Sequence, residues 1–122
     1  MFRFSLSALA LAAVLAAPAS AAMTTGTFVT RARALQAQGM GAVLNSDFQT
    51  LRGEAQDATQ SLKADRAARQ AAGKKPIACV PEGQSIGILE MLDGLDALSP
   101  AEKRLPLKDG YAHVLAKRFP CR

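Results

Sequence analysis

The amino end of this chain decides how much of it is left to fold, and in which compartment. Arg3 precedes an uncharged run from Phe4 to Ala17, rich in Leu and Ala, which is followed by Pro18 and the small-x-small sequence Ala19-Ser20-Ala21. A short positive segment, an apolar stretch and a small-residue site make the pattern of a cleaved secretory signal, and the cut is expected after Ala21. A membrane-spanning helix needs roughly 20 apolar residues in a row, and Pro18 closes this run sooner. Lipid attachment at the cleavage site would need a cysteine, and none stands there. The expectation is a signal peptide over residues 1–21 and a single domain over 22–122, with no stable membrane span, in the periplasm or secreted.

That compartment gives meaning to the cysteines. There are two, Cys79 and Cys121, and an even count in an oxidising environment reads as a disulfide. Closing a loop of about 40 residues contributes about 4 kcal/mol in the chain-entropy model. A domain of this size has a modest core, for which a covalent staple is useful. Two free thiols fit an oxidising compartment less well. A metal pair is disfavoured because zinc takes four ligands and no His or third Cys lies nearby in sequence.

Loss of Arg3 with the signal lowers the formal net charge from +5 to +4. A mildly basic exported protein meets anionic lipid, cell-wall polymer or an acidic protein surface. Nucleic acid is not an expected partner. The chain has no Trp and one Tyr, and beyond the signal only Phe28, Phe48 and Phe119, so it lacks an aromatic ladder on which bases could stack.

Strand signals are weak, and Ala, Leu, Gln, Lys and Arg, all good helix formers, dominate. The expected fold is all-α, a disulfide-stapled domain of about four helices. The first spans about 27–38, with Thr24, Thr25 and Thr27 as candidate caps and Phe28, Ala32 and Leu35 on one face. Gly39 and Gly41 end it, and Met40, Val43 and Leu44 form an apolar connector. The second starts at Asn45 or Ser46, with Ser46 and Gln49 placed for a capping box. Its stripe is Phe48, Leu51, Ala55, Ala58 and Leu62, continued by Arg66 and Arg69 to Ala72, and Gly73 stops it. After the linker Lys74-Lys75-Pro76, a third helix is expected over about 85–95, burying Ile88, Leu89, Leu92 and Leu95. Ser99-Pro100-Ala101-Glu102 is a helix start. A last helix over about 107–118 carries Leu107, Tyr111, Val114 and Leu115 on its inner face.

Candidate chemistry is sparse. His113 is the only histidine and sits one residue off an apolar face; a catalytic role needs a nucleophile and an orienting group beside it. Glu90, Asp93 and Asp96 recur every three residues, which suits a solvated acidic face, and the alternating oxygens of a calcium loop are missing. Paired-carboxylate glycosidase chemistry needs a cleft-sized domain. No phosphate loop, CxxC or HExxH motif occurs. The expectation is a non-enzyme without cofactor or metal, whose partner is another protein. Lys63, Arg66, Arg69, Lys74 and Lys75 form a basic cluster, diluted only by Asp65; it is either a solvated helix end or a docking patch for an acidic partner or anionic surface.

One set of residues carries a family resemblance. Cys79-Val80-Pro81-Glu82-Gly83, the helix after it, a second helix and the closing Phe119-Pro120-Cys121 resemble the Tai-type amidase-immunity family over about residues 77–122. Those are small exported helical proteins of Gram-negative bacteria that bind and block cell-wall amidases delivered by type VI secretion. The resemblance implies a Cys79–Cys121 disulfide, with Pro81 and Gly83 shaping the turn, and a steric mode of action in which a rigid surface occludes an enzyme's cleft. Residues 22–78 hold no cysteine and no motif of that family. The alternative reading is a structural or stress protein of the envelope, such as a small periplasmic chaperone, without a dedicated effector partner.

Overall fold

The structure, a computed structural model, describes residues 22–122; the signal-peptide reading concerns 1–21 and lies outside the described residues. The order of elements is α1 (Thr25–Ala37), a 3-10 segment (Gly39–Leu44), α2 (Ser46–Ala71), α3 (Ile88–Asp96), the single turn α4 (Pro100–Lys103) and α5 (Leu107–Arg118). The fold is all-α, and the described residues contain no strand, only an isolated bridge between Thr24 and Pro106.

The caps explain the boundaries. Thr24 caps α1, its hydroxyl accepting the Thr27 amide at 3.2 Å. The entry to α1 is set by pairing far along the chain: the Thr25 amide donates to the Leu105 carbonyl at 2.9 Å, and the Leu107 amide to that of Met23 at 3.0 Å. Thr25 is therefore a fully buried residue, not a cap; its hydroxyl bonds the Leu105 carbonyl at 3.1 Å. Asn45 caps α2, accepting the Asp47 amide at 2.9 Å. Ser46 then already lies inside the helix, so the Ser46–Gln49 box does not form. At its far end the Lys74 amide reaches the Arg69 carbonyl at 2.8 Å and that of Gly73 the Gln70 carbonyl at 3.1 Å. This is the Schellman closure, with Gly73 at φ +68°, a conformation glycine takes without strain. Ser99 and Glu102 form the capping box of α4, and hydrogen bonds from Ser99 hold the Glu102 carboxyl below its usual range.

Helices α1, α2, α3 and α5 enclose the core, which includes Phe28, Val29, Leu51, Leu92, Leu95, Leu107 and Val114. Tyr111 stands edge-on to Phe28, with ring centroids 6.4 Å apart. The Val114 side chain packs closely over Gly94, where an added Cβ would lie 2.6 Å from it. The third helix departs from expectation. It begins at Ile88 rather than near Ser85, and Ile88 and Leu89 are 87% and 61% exposed. Met91, Leu92 and Leu95 are its buried residues, followed by Leu98. Periodicity names the apolar side of a helix; burial also needs a second element over that side, and none covers the first turn of α3.

Cys79 and Cys121 are bonded, with Cα atoms 5.0 Å apart. The Cys79 amide also donates to the Phe119 carbonyl at 2.9 Å. Together these tie the segment before α3 to the end of α5. Between them, Pro81 to Gln84 form a tight turn closed by the Gln84 amide on the Pro81 carbonyl at 3.1 Å, with Gly83 at φ +77°.

Candidate docking groove

Helices α2 and α3 both rest on α1 and on α5, yet they have no extended contact with each other. The space between them is an open groove of about 1400 Å³. Its base is apolar and built from all four helices: Phe28 and Leu35 of α1, Leu51 of α2, Leu92 and Leu95 of α3, and Tyr111 and Leu115 of α5. Burial at this base raises the Tyr111 hydroxyl pKa.

The two walls differ in chemistry. One is the outer flank of α2, where Arg52, Gln56, Thr59, Gln60, Lys63, Arg66 and Arg69 follow one another along the helix. The other is the segment between α2 and α3 with the first turn of α3, which contributes mainly apolar residues, Ile77, Ala78, Val80, Ile86, Ile88 and Leu89, with Gln84 and Ser85 among them. Ala42 and Val43 of the 3-10 segment also line it, and Met40 and Leu44 beside them are almost wholly exposed.

The structure divides the basic cluster read from the sequence. Lys63, Arg66 and Arg69 line the groove. Lys74 and Lys75 are exposed beyond the end of α2; Lys74 joins Arg66, Gln70 and Pro76 in a separate hollow of about 310 Å³, and the Lys75 carbonyl accepts Arg69 Nη1 at 3.4 Å. Asp65, the one acid among them, is held by Lys108 of α5 at 3.1 Å. Arg52 belongs to the same wall and was not part of the sequence cluster. Cys79, Cys121, Pro81 and Gly83 act on the opposite wall: the disulfide anchors that segment and the turn reverses it towards α3.

The remaining candidates lie elsewhere. His113 Nδ1 is 3.2 Å from Glu102 Oε2 on the half-exposed rim between α4 and α5. The acids of α3 are taken up by ion pairs between elements: Glu90 with Arg118 at 2.7 Å, Asp93 with Arg33 at 2.8 Å, and Asp96 with Arg33 at 3.2 Å and Lys103 at 3.4 Å. Exposed pairs of this kind contribute at most about 1 kcal/mol each; they link α3 to α1, α4 and α5. Among the described residues no group of three or more His, Cys, Asp or Glu side chains is placed to hold a metal, and no helix is long and apolar enough to cross a membrane.

No family model, curated protein or solved structure matches this chain. The groove itself was not read from the sequence. Its one signal was an excess: Ile88, Leu89, Met91 and Leu92 place apolar side chains around more of α3 than a single core-facing stripe requires.

Proposed function

We propose that this protein is an exported binding protein that docks on another protein through the groove between α2 and α3. In its specific form, suggested by the Cys79-Val80-Pro81-Glu82-Gly83 and Phe119-Pro120-Cys121 frame, it occludes a cell-wall amidase. The observation that carries the reading is the groove: an open concavity with an apolar base and with exposed Ile88 and Leu89 on its lip. Exposed apolar patches of this kind mark interaction sites. Action by occlusion needs a rigid frame, and the disulfide supports the non-helical part of the wall that faces α2.

A second reading, an envelope chaperone without a dedicated partner, is favoured by the exposure of Met40, Val43 and Leu44 beside the groove, since a flexible apolar surface suits many clients. Affinity capture with residues 22–122 against envelope and secreted proteins separates the two. Recovery of one cell-wall hydrolase at near-equal ratio, with loss of its activity in the complex, supports the occlusion reading. Recovery of many unrelated proteins, or of none, overturns it. Protection of cells from the recovered amidase by expression of the chain is the test in vivo.

A further inference from the structure

We infer that the groove receives an amphipathic helix with carboxylates along one flank, laid beside α2. The inference rests on the reading of the groove as a protein-docking surface and adds the chemistry of the partner segment.

The asymmetry of the walls carries it. Arg52, Lys63, Arg66 and Arg69 all lie on the α2 side, and the facing wall is uncharged and mainly apolar, with Gln84 and Ser85 its polar members. The single carboxylate in the lining, Asp65, is already engaged by Lys108. Among the described residues none of the four cations has a carboxylate partner. This sets them apart from Arg31, Arg33 and Arg118, which all do. At 1.5 Å per residue, Arg52 to Arg69 spans about 26 Å, the length of a helix of about 17 residues. Gln56, Thr59 and Gln60 lie between the cations and offer hydrogen bonds to polar side chains on the same flank. An occupant that matches both walls is apolar towards Leu92, Ile88 and Leu89, and acidic towards α2. Three of the four cations fall in the last third of the groove, so the partner's acids should cluster there.

A distributed anion fits better than a lipid. One headgroup satisfies one end of a 26 Å row of cations (about 17 residues of helix) and leaves the others unmatched. A bilayer surface meets a flat or convex patch, and these cations line a concavity. Helix-in-groove recognition uses anchors at i, i+3, i+4 and i+7, for which the apolar base of the groove supplies the sockets.

The test uses a labelled synthetic helix of about 18 residues, Leu on one face and Glu along one flank, against its Lys-for-Glu counterpart. Fluorescence anisotropy with the purified protein should show saturable binding of the Glu helix that weakens with salt, and binding of the Lys helix at least about tenfold weaker. The triple variant Lys63→Glu, Arg66→Glu, Arg69→Glu should invert that preference. The double variant Ile88→Asp, Leu89→Asp should abolish binding of both. All five positions lie at the groove surface and the acids enter the first turn of α3, where they suit the helix dipole; unchanged helicity and melting confirm that the variants fold. Equal binding of the two helices overturns the inference. So does displacement of the Glu helix by phosphatidylglycerol vesicles or oleate at concentrations where they bind the protein directly. Capture of a partner that survives charge reversal but is lost in Ile88→Asp, Leu89→Asp overturns the acidic flank and leaves the groove as a docking site. Capture that survives both sets overturns the docking reading as well.

Discussion

Helix α5 has two sides, and they meet different fates. On one, Leu107 is 1% exposed and Val114 is 6% exposed. There Gly110 lies so close to Thr25 that an added Cβ would stand 2.4 Å from its hydroxyl. On the other, Tyr111 and Leu115 are half-buried and look into the groove. The same contrast runs along α3, from Leu95 at 0% exposure to Ile88 at 87%. Apolar residues of equal hydrophobicity therefore stabilise the fold on one side and are held in water on the other. The difference lies in whether an element stands opposite. The closed side is clamped by the backbone pairing of residues 23–25 with 105–107; on the groove side α2 and α3 stand apart.

The disulfide ties the groove wall before α3 to the end of α5 across a sequence separation of 42, so breaking it should have the largest effect. Reduction, or Cys79→Ser, is expected to cost about 4 kcal/mol, read as a lower melting temperature under reducing conditions; identical melting with and without reductant would remove the staple from the account. Leu107→Ala on the closed side should cost about 3 kcal/mol in urea titrations. Glycines give a sharper comparison. Gly110→Ala should destabilise by about 2 kcal/mol, through collision with Thr25, after its gain in helix propensity is counted. Gly53→Ala in α2, where nothing lies within 4 Å of an added Cβ, should stabilise by up to about 1 kcal/mol. If both shift the same way, the closed side is looser than its geometry implies.

Acid should weaken the frame rather than the groove. The Arg31 guanidinium holds the Asp47 carboxyl below its usual range, and Ser99 does the same for Glu102. A carboxyl with a depressed folded-state pKa binds fewer protons folded than unfolded. The stability it lends is complete above the ordinary carboxyl range and is lost as pH falls below about 4. Denaturation midpoints should fall with acidification in that window, and Asp47→Asn should flatten the slope. The smallest effect is expected at the lip of the groove. Ile88→Ser should change stability by no more than about 0.5 kcal/mol, while reducing any binding that depends on the groove.

Much of the fold was legible because its signals are local. Ser99-Pro100-Ala101-Glu102 specifies the start of α4 within four residues, and the capping box forms. The stripe through Leu51, Ala55, Ala58 and Leu62 gave α2 its length, and Gly73 its end. The pairing of Cys79 with Cys121 needed only a count of two. Thr25 was harder: its hydroxyl suggested a cap, and its burial depends on a carbonyl 80 residues away. Ile88 and Leu89 misled for the same reason. Of the candidate site, Lys63, Arg66 and Arg69 were visible as a cluster; Arg52, 11 positions before Lys63 in the sequence, joins them only because α2 is one continuous helix along the groove.

The capping box of α4, the extent of α2 with its Gly73 stop, and the disulfide followed from the sequence by itself, because each depends on residues within about a turn of one another, on the repeat of one stripe, or on a choice with a single outcome. Which apolar faces close and which remain open was decided by the tertiary structure alone. Burial belongs to a pair of surfaces: α3 carries the same leucines whether or not α2 stands over them, and only the packing of both helices on α1 and α5 keeps them apart.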